Sequence, residues 1–277
     1  MGLIGGSFEK AFLAVGHDVV NLKTVDERSI VNCRLSTTTC STIGDCQLPT
    51  EARSTIGDCQ LITVCLPPLM VAPWVKEHAD DFGEGAVVVD AAGVKSVVCA
   101  ELAETAKGRG WTFVGGHPMA GKERSGYANS DAGLFRGASM IFTPFAETDA
   151  AVVDWLKATF SEIGFARFVV TDPRRHDEMI AYTSQLAHVV SSAYVRDELS
   201  RSHLGFSAGS FQDMTRVATV DPDIWTDLFL ANRESLDAVL TRLIDRLGEY
   251  RDSIRAADAA KLRALLAEGR AAKETSH

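Results

Sequence analysis

The sequence lacks any apolar run approaching the ~20 residues that a bilayer-spanning helix requires. Its start, MGLIGGSFEK, has neither a basic segment nor a continuous apolar stretch, which argues against a secretory leader. There is no basic excess: 28 Lys and Arg stand against 37 Asp and Glu, for a net charge of −9. A non-specific nucleic-acid binder would need a basic face to neutralise phosphates, and the charge argues against that class. A small anionic substrate is not excluded, because a few local cations can line a pocket on an acidic protein. The six cysteines (Cys33, Cys40, Cys46, Cys59, Cys65 and Cys99) form no CxxC pair and have no histidine at zinc-ligand spacing. No metal site is expected, and free thiols in a cytoplasmic protein are the reading. Lysine is also absent between Asp172 and Lys261.

What is present has the texture of two domains. In the first two-thirds, short β-branched runs alternate with helical patterns, which predicts βαβ units and a mostly parallel sheet. The expected strands are Leu61–Pro68, Ala86–Asp90, Thr112–Pro118, Ser139–Pro144 and Ala166–Asp172, with a helix over about 150–163 before the last. After Asp172–Pro173 the period becomes helical almost to the end. Leu236, Val239, Leu240, Leu243, Ile244 and Leu247 recur as one apolar stripe. The predicted architecture is α/β: a Rossmann-type parallel sheet over residues 1–172, then an all-helical domain over 173–277. Such a stripe serves an internal core or a symmetric dimer, so a homodimer is expected. STIGDCQL occurs twice, at Ser41–Leu48 and Ser54–Leu61, too closely spaced for a solenoid repeat. No physical role attaches to it.

GLIGG followed by a helical stretch has the form of a dinucleotide-binding turn, in which glycines let backbone N–H groups approach a pyrophosphate. Gly2 and Gly5 fit the second and third glycines of GxGxxG, with Gly6 and Ser7 opening the helix. The first glycine and the strand ahead of it are not in the sequence. A start assigned too far downstream, or a shortened gene, is expected, and loss of a central strand should expose two sheet edges. Lys23 and Thr24 fall where such folds read the ribose. A lysine cannot accept from a ribose hydroxyl but pairs with a 2′-phosphate, which favours NADP over NAD; the alternative is a solvated surface lysine. The expected cofactor contacts are Gly2, Leu3, Ile4, Gly5, Lys23, Thr24 and Pro67.

GGHPMAGKERSG (Gly115–Gly126) places His117 at the tip of a predicted strand, where open α/β sheets bind ligands. Its near-neutral pKa suits a hydroxyl that must lose a proton. His188 lies in a long predicted helix, where a histidine satisfied between helices is the plain alternative. Arg216 lies near the end of a short helix or turn; it is either a surface arginine or a carboxylate clamp.

Taken in order, GLIGGS, DAAGVK (Asp90–Lys95), GGHPMAGKERSG, HD…SQLAH and DMTR…DPDIW resemble the prephenate/arogenate dehydrogenases over essentially Gly2 to Ile254. The resemblance implies NAD(P)-dependent oxidative decarboxylation of prephenate or arogenate on the route to tyrosine. It implies that His117 hydrogen-bonds the ring hydroxyl and assists its deprotonation, that Arg216 binds a substrate carboxylate, and that His188 and Trp225 line the pocket. Lys122, in the His117 loop, would add a second positive charge.

This chain departs from the pattern at Gly93, where many relatives carry a serine that assists the histidine. Rival readings are an inactive dimeric relative, a nucleotide-binding sensor, and a 3-hydroxyacid or 6-phosphogluconate-type dehydrogenase. The last generally relies on a lysine in the first long helix after the nucleotide domain, which is absent here. A sensor leaves His117, His188 and Arg216 without a role.

Overall fold

The computed structural model describes residues 2–23, 29–34, 56–122 and 126–275, with residues 20–23 and 29–34 as backbone. Thr24, the first STIGDCQL copy, Cys40, Cys46 and the side chains of Lys23 and Cys33 lie outside the described residues. Met1–Asn232 forms one compact unit and Arg233–His277 a second.

The first unit opens with helix α1 (Leu3–Ala14) and continues through β1 (Asp18–Lys23), β2 (Ser29–Arg34), β3 (Leu61–Cys65), α2 (Pro68–Glu77), β4 (Val87–Asp90), α3 (Ser96–Ala106) and β5 (Thr112–Met119). β6 (Ser139–Pro144), α4 (Ala150–Glu162) and β7 (Arg167–Val170) complete the sheet. Each of the five expected strands is found. The seven strands lie in sequence order. β3, β4 and β5 pair in parallel, as do β6 and β7, whereas β5 and β6 are antiparallel. Among the described residues between β5 and β6 there is no crossover helix, only a short 3-10 turn at Tyr127–Asn129, and β6 returns beside β5 in the opposite sense.

Two expectations at the N-terminus are corrected. Helix α1 begins at Leu3 with Gly2 as its N-cap, rather than opening at Gly6 and Ser7. The sheet is also not left with two open edges. In the usual order of such sheets, the strand before the first helix lies between the strands that β1 and β3 represent. β2 occupies that slot, antiparallel to both neighbours. Its backbone N–H and C=O groups satisfy the two ladders that would otherwise be unpaired.

Period-2 alternation sends Ile62, Val64, Val88 and Phe113 to one side, where they join Val71, Val75, Val98, Leu102 and Trp111. Leu61, Val87, Val89 and Val114 face the other side, with Phe8, Phe12, Phe135, Phe142 and Phe160. Along β3, β4 and β5 the sheet is thus buried on both faces, as continuous apolar strands require, while Val169 and Val170 of β7 are exposed.

Beyond β7 the unit is helical: α5 (Pro173–Ile180), a π turn (Ala181–Gln185), α6 (Leu186–Val195), α7 (Gly209–Thr215) and α8 (Pro222–Ala231). Two of these helices start on Asp-Pro. The Asp172 carboxylate accepts from the N–H of Arg175 at 2.9 Å, and that of Asp221 from Asp223 and Ile224 at 3.0 and 3.2 Å. Proline at the first helical position costs nothing, because its missing N–H would be unpaired there anyway.

The second unit comprises α9 (Arg233–Arg255) and α10 (Ala259–Thr275). On α9 Leu236 and Val239 are buried, while Ile244 and Leu247 of the same stripe are more than half exposed. Among the described residues no helix is long and apolar enough to cross a membrane, and no group of His, Cys, Asp and Glu has the arrangement of a metal site.

Candidate active site

His117 sits at the carboxyl end of β5, opposite Ile141 of β6. The glycines before it are required by what passes behind the strand. A Cβ on Gly115 would overlap Thr143 and stand 3.0 Å from Cys99 Sγ and 3.2 Å from Lys95 Cδ. One on Gly116 would lie 2.5 Å from the Asp90 carbonyl oxygen. Asp90 and Lys95 form a wholly buried ion pair. The Asp90 carboxylate also accepts from the N–H groups of Ala92 at 3.0 Å and Gly116 at 3.1 Å. The loop after β4 is thereby tied to the tip of β5.

The His117 ring points Nδ1 at His176 Nε2, 2.9 Å away on the first turn of α5. His176 Nδ1 is 2.7 Å from Asp177 Oδ1. Asp177 in turn accepts from the N–H of Lys95 and of Ser96, each at 2.8 Å. Burial alone would raise the Asp177 carboxyl. Hydrogen bonds from His176, Ser96 and the backbone at Lys95 and Ser96 outweigh it and hold the group below the usual carboxylate range. Burial pushes His117 well below the ordinary imidazole range, helped by His176 and Lys95 and opposed by Asp177. His117 Nε2 looks toward Gly93, whose absent Cβ would be 3.9 Å from it and 3.2 Å from Leu228 Cδ2.

Leu228 leads to the other candidates. Gln185, at the end of the π turn, donates to the Leu228 carbonyl at 3.3 Å. Asn232 bridges the Gln185 side chain at 2.8 Å and the Asp177 carbonyl at 2.9 Å. One turn along from Gln185, His188 packs against Trp225 with ring centroids 3.8 Å apart and planes tilted by 44°, and its Nδ1 meets the Val217 carbonyl at 2.9 Å. Arg216, the residue before Val217, ends α7 with its side chain exposed. His117, His188, Trp225 and the Arg216 turn therefore belong to one connected framework. An uninterrupted helix would set His176 and His188 roughly 120° apart about its axis; a π turn absorbs one extra residue and brings them to roughly one face.

Lys122 is placed differently. Its ammonium contacts the Asn129 carbonyl at 3.2 Å and the Asp131 carboxylate at 3.4 Å, so its charge is met within its own loop. At the N-terminus, Gly2 is exposed with open space around it, and no acidic side chain stands in the first turn of α1. The first N–H groups of a helix have no partner within it, so Leu3, Ile4 and Gly5 present the donors that suit a phosphate. Gly6 is where a side chain has no room, since its Cβ would meet Tyr127 at 2.5 Å and Ser130 at 2.8 Å. Pro67 closes β3 and caps α2. These residues fit a dinucleotide laid across the carboxyl ends of the strands.

Sequence reasoning gave no role to His176, Asp177, Gln185 or Asn232. The adjacent His-Asp directly after a capped Asp-Pro start is the one local signal for the first pair.

Family models match in two consecutive blocks: prephenate dehydrogenase, nucleotide-binding domain, over residues 23–170, and prephenate dehydrogenase, dimerization domain, over 172–268. The chain is 27% identical to the prephenate dehydrogenase of Bacillus subtilis over 257 residues, covering 90% of this chain. It spans 65% of that relative's length. Among solved structures it is similar to Synechocystis arogenate dehydrogenase (TM-score 0.77, 20% identity, 100% of this chain and 97% of that one). It is likewise similar to prephenate dehydrogenase from Aquifex aeolicus in complex with hydroxyphenyl propionate and NAD+ (TM-score 0.76, 22% identity, 99% and 94%). The chain belongs to the prephenate dehydrogenase family.

Proposed function

We propose that this protein oxidatively decarboxylates prephenate, or its amino counterpart arogenate, with NAD or NADP as the hydride acceptor. The observation that carries the reading is His117: an imidazole kept neutral at the carboxyl end of the sheet, its Nε2 facing the space beside Gly93 and Leu228. Neutral imidazole is the form that accepts a proton. His117 takes the proton of the ring hydroxyl at Nε2, the O–H bond breaks, and its electron pair forms the ring carbonyl as hydride leaves the same carbon. When bound, the oxidised nicotinamide receives that hydride. Loss of the ring carboxylate as CO2 leaves its electron pair to complete the aromatic ring, and the ring oxygen regains the proton. Arg216 holds a substrate carboxylate, and His188 and Trp225 wall the pocket, while Lys122, whose charge is met by Asn129 and Asp131, orders its own loop. Gly2, Leu3, Ile4, Gly5 and Pro67 receive the dinucleotide. General-base help of this kind contributes ~10²–10⁴ in rate; positioning by the Arg216 side supplies much of the rest.

In this reading residues 1–172 are the dinucleotide-binding domain and 173–277 the helical substrate and dimerisation domain of a cytoplasmic homodimer. The exposed apolar stripe of α9 and the dimerization-domain match support the latter. The test is nicotinamide reduction, followed by absorbance, with prephenate and then arogenate and each cofactor in turn. Turnover abolished by His117→Ala establishes the reading and fixes both substrates. A folded protein that reduces neither cofactor with either substrate overturns it.

A further inference from the structure

His117 presents two nitrogens to two different surroundings, and with His176 neutral only one arrangement of protons satisfies both. Asp177 is an acceptor: its oxygens already receive the N–H groups of Lys95 and Ser96. His176 Nδ1, 2.7 Å from the same carboxylate, must therefore carry a proton. In a neutral His176, Nε2 is then a lone pair, and at 2.9 Å it requires a proton on His117 Nδ1. His117 Nε2 is left as the bare lone pair, on the side of Gly93. No side chain on Gly93 is present to orient it from that direction.

We propose that His176 is a positioning residue, relaying Asp177 to His117 so that the His117 proton stays on Nδ1 and the basic lone pair on Nε2. The inference rests on His117 being the base proposed above. It assigns the orientation of that base to α5, a helix of the second family block, rather than to the β4–α3 loop that carries Gly93. When Nε2 gains the substrate proton, the imidazolium charge is shared through Nδ1–H with His176 and faces Asp177. The charged and titratable groups around the ring are then His176 and Asp177 from α5 and Lys95 from the loop after β4.

Two readouts test it. In the folded protein without substrate, nitrogen-resolved NMR of the imidazoles reports which His117 nitrogen holds the proton. The expected result is Nδ1 in the native protein and a shift to mixed or Nε2 protonation in His176→Leu. Nε2 protonation in the native protein, or an unchanged spectrum in His176→Leu, overturns the proposal whatever the substrate proves to be. The second readout is kinetic. His176→Leu lowers kcat by on the order of 10²-fold with little change in KM, and His176→Gln, whose amide oxygen can accept from Nδ1–H, recovers most of it. Equal losses in Leu and Gln variants of normal stability overturn the relay. An Nδ1 proton that depends on His176, in a protein inert toward prephenate and arogenate, would keep the relay and remove the proposed substrates instead.

Discussion

Lys95 and Asp90 are paired with neither side chain reaching solvent. The carboxylate that balances the ammonium also holds the N–H groups of Ala92 and Gly116, one on each side of the site. Removing one member leaves the other charged, buried and uncompensated. Lys95→Met should therefore cost about 3–5 kcal/mol of stability in urea unfolding, while Lys95→Met combined with Asp90→Leu should recover part of that loss. A single variant that unfolds within about 1 kcal/mol of the native protein would mean that water reaches the pair.

Acid should act on His117 in a defined sense. Its folded-state pKa lies below the ordinary value, so between the two values the unfolded chain binds the extra proton. Stability from this residue is present above the ordinary value near 6.5 and is lost as pH falls below it toward the folded value. Thermal unfolding of His117→Asn should lack that decline. The acidic limb of kcat/KM should likewise fall below the ordinary imidazole range, and a limb at or above it would contradict a neutral base. Asp177 acts in a more acidic window: its lowered pKa contributes stability above the ordinary carboxylate value, lost as pH falls through the folded one.

Arg216→Ala should weaken substrate more than it slows chemistry. A hydrogen bond to a charged group is worth about 1.5–3 kcal/mol, so KM should rise roughly 10- to 150-fold. Arg216→Lys keeps the charge but loses the planar fork and should recover only part of this. An unchanged KM in the alanine variant would remove the clamp from the proposed pocket.

Two glycines of α1 should respond oppositely. Gly2 has open space around it, so Gly2→Ala should leave stability within about 0.5 kcal/mol and act on cofactor KM. Gly6→Ala drives a methyl into Tyr127 and Ser130 and should destabilise by about 1–3 kcal/mol. Thermal melts with and without cofactor separate the two; equal losses in both would mean that Gly2 is packed.

Much of this was legible because it is local. The strands around Ile62, Val88 and Phe113 are continuous apolar runs stopped by Pro, Gly or Asp, and Asp172–Pro173 and Asp221–Pro222 are helix starts in their own right. The placement of β2 was not legible, since an antiparallel ladder depends on backbone groups that every residue has. His176 was passed over because its partner lies 59 residues away. Gly115 shows its purpose only once Lys95, Cys99 and Thr143 surround it. The resemblance singled out His188 and Trp225, yet the ring contact that joins them is a tertiary fact.

The π turn at Ala181–Gln185 makes the interval between His176 and His188 a ruler. The interval is 188 − 176 = 12 residues, and wound as a regular helix it would swing His188 about a third of a revolution away from Trp225. Deleting one residue of the turn would remove only the surplus and leave both histidines on roughly one face, whereas inserting one, with no second bulge to absorb it, would turn His188 by about 100°. For this stretch, spacing is as much a part of the site as residue identity: a one-residue insertion would erase function while leaving each named side chain in the text of the sequence.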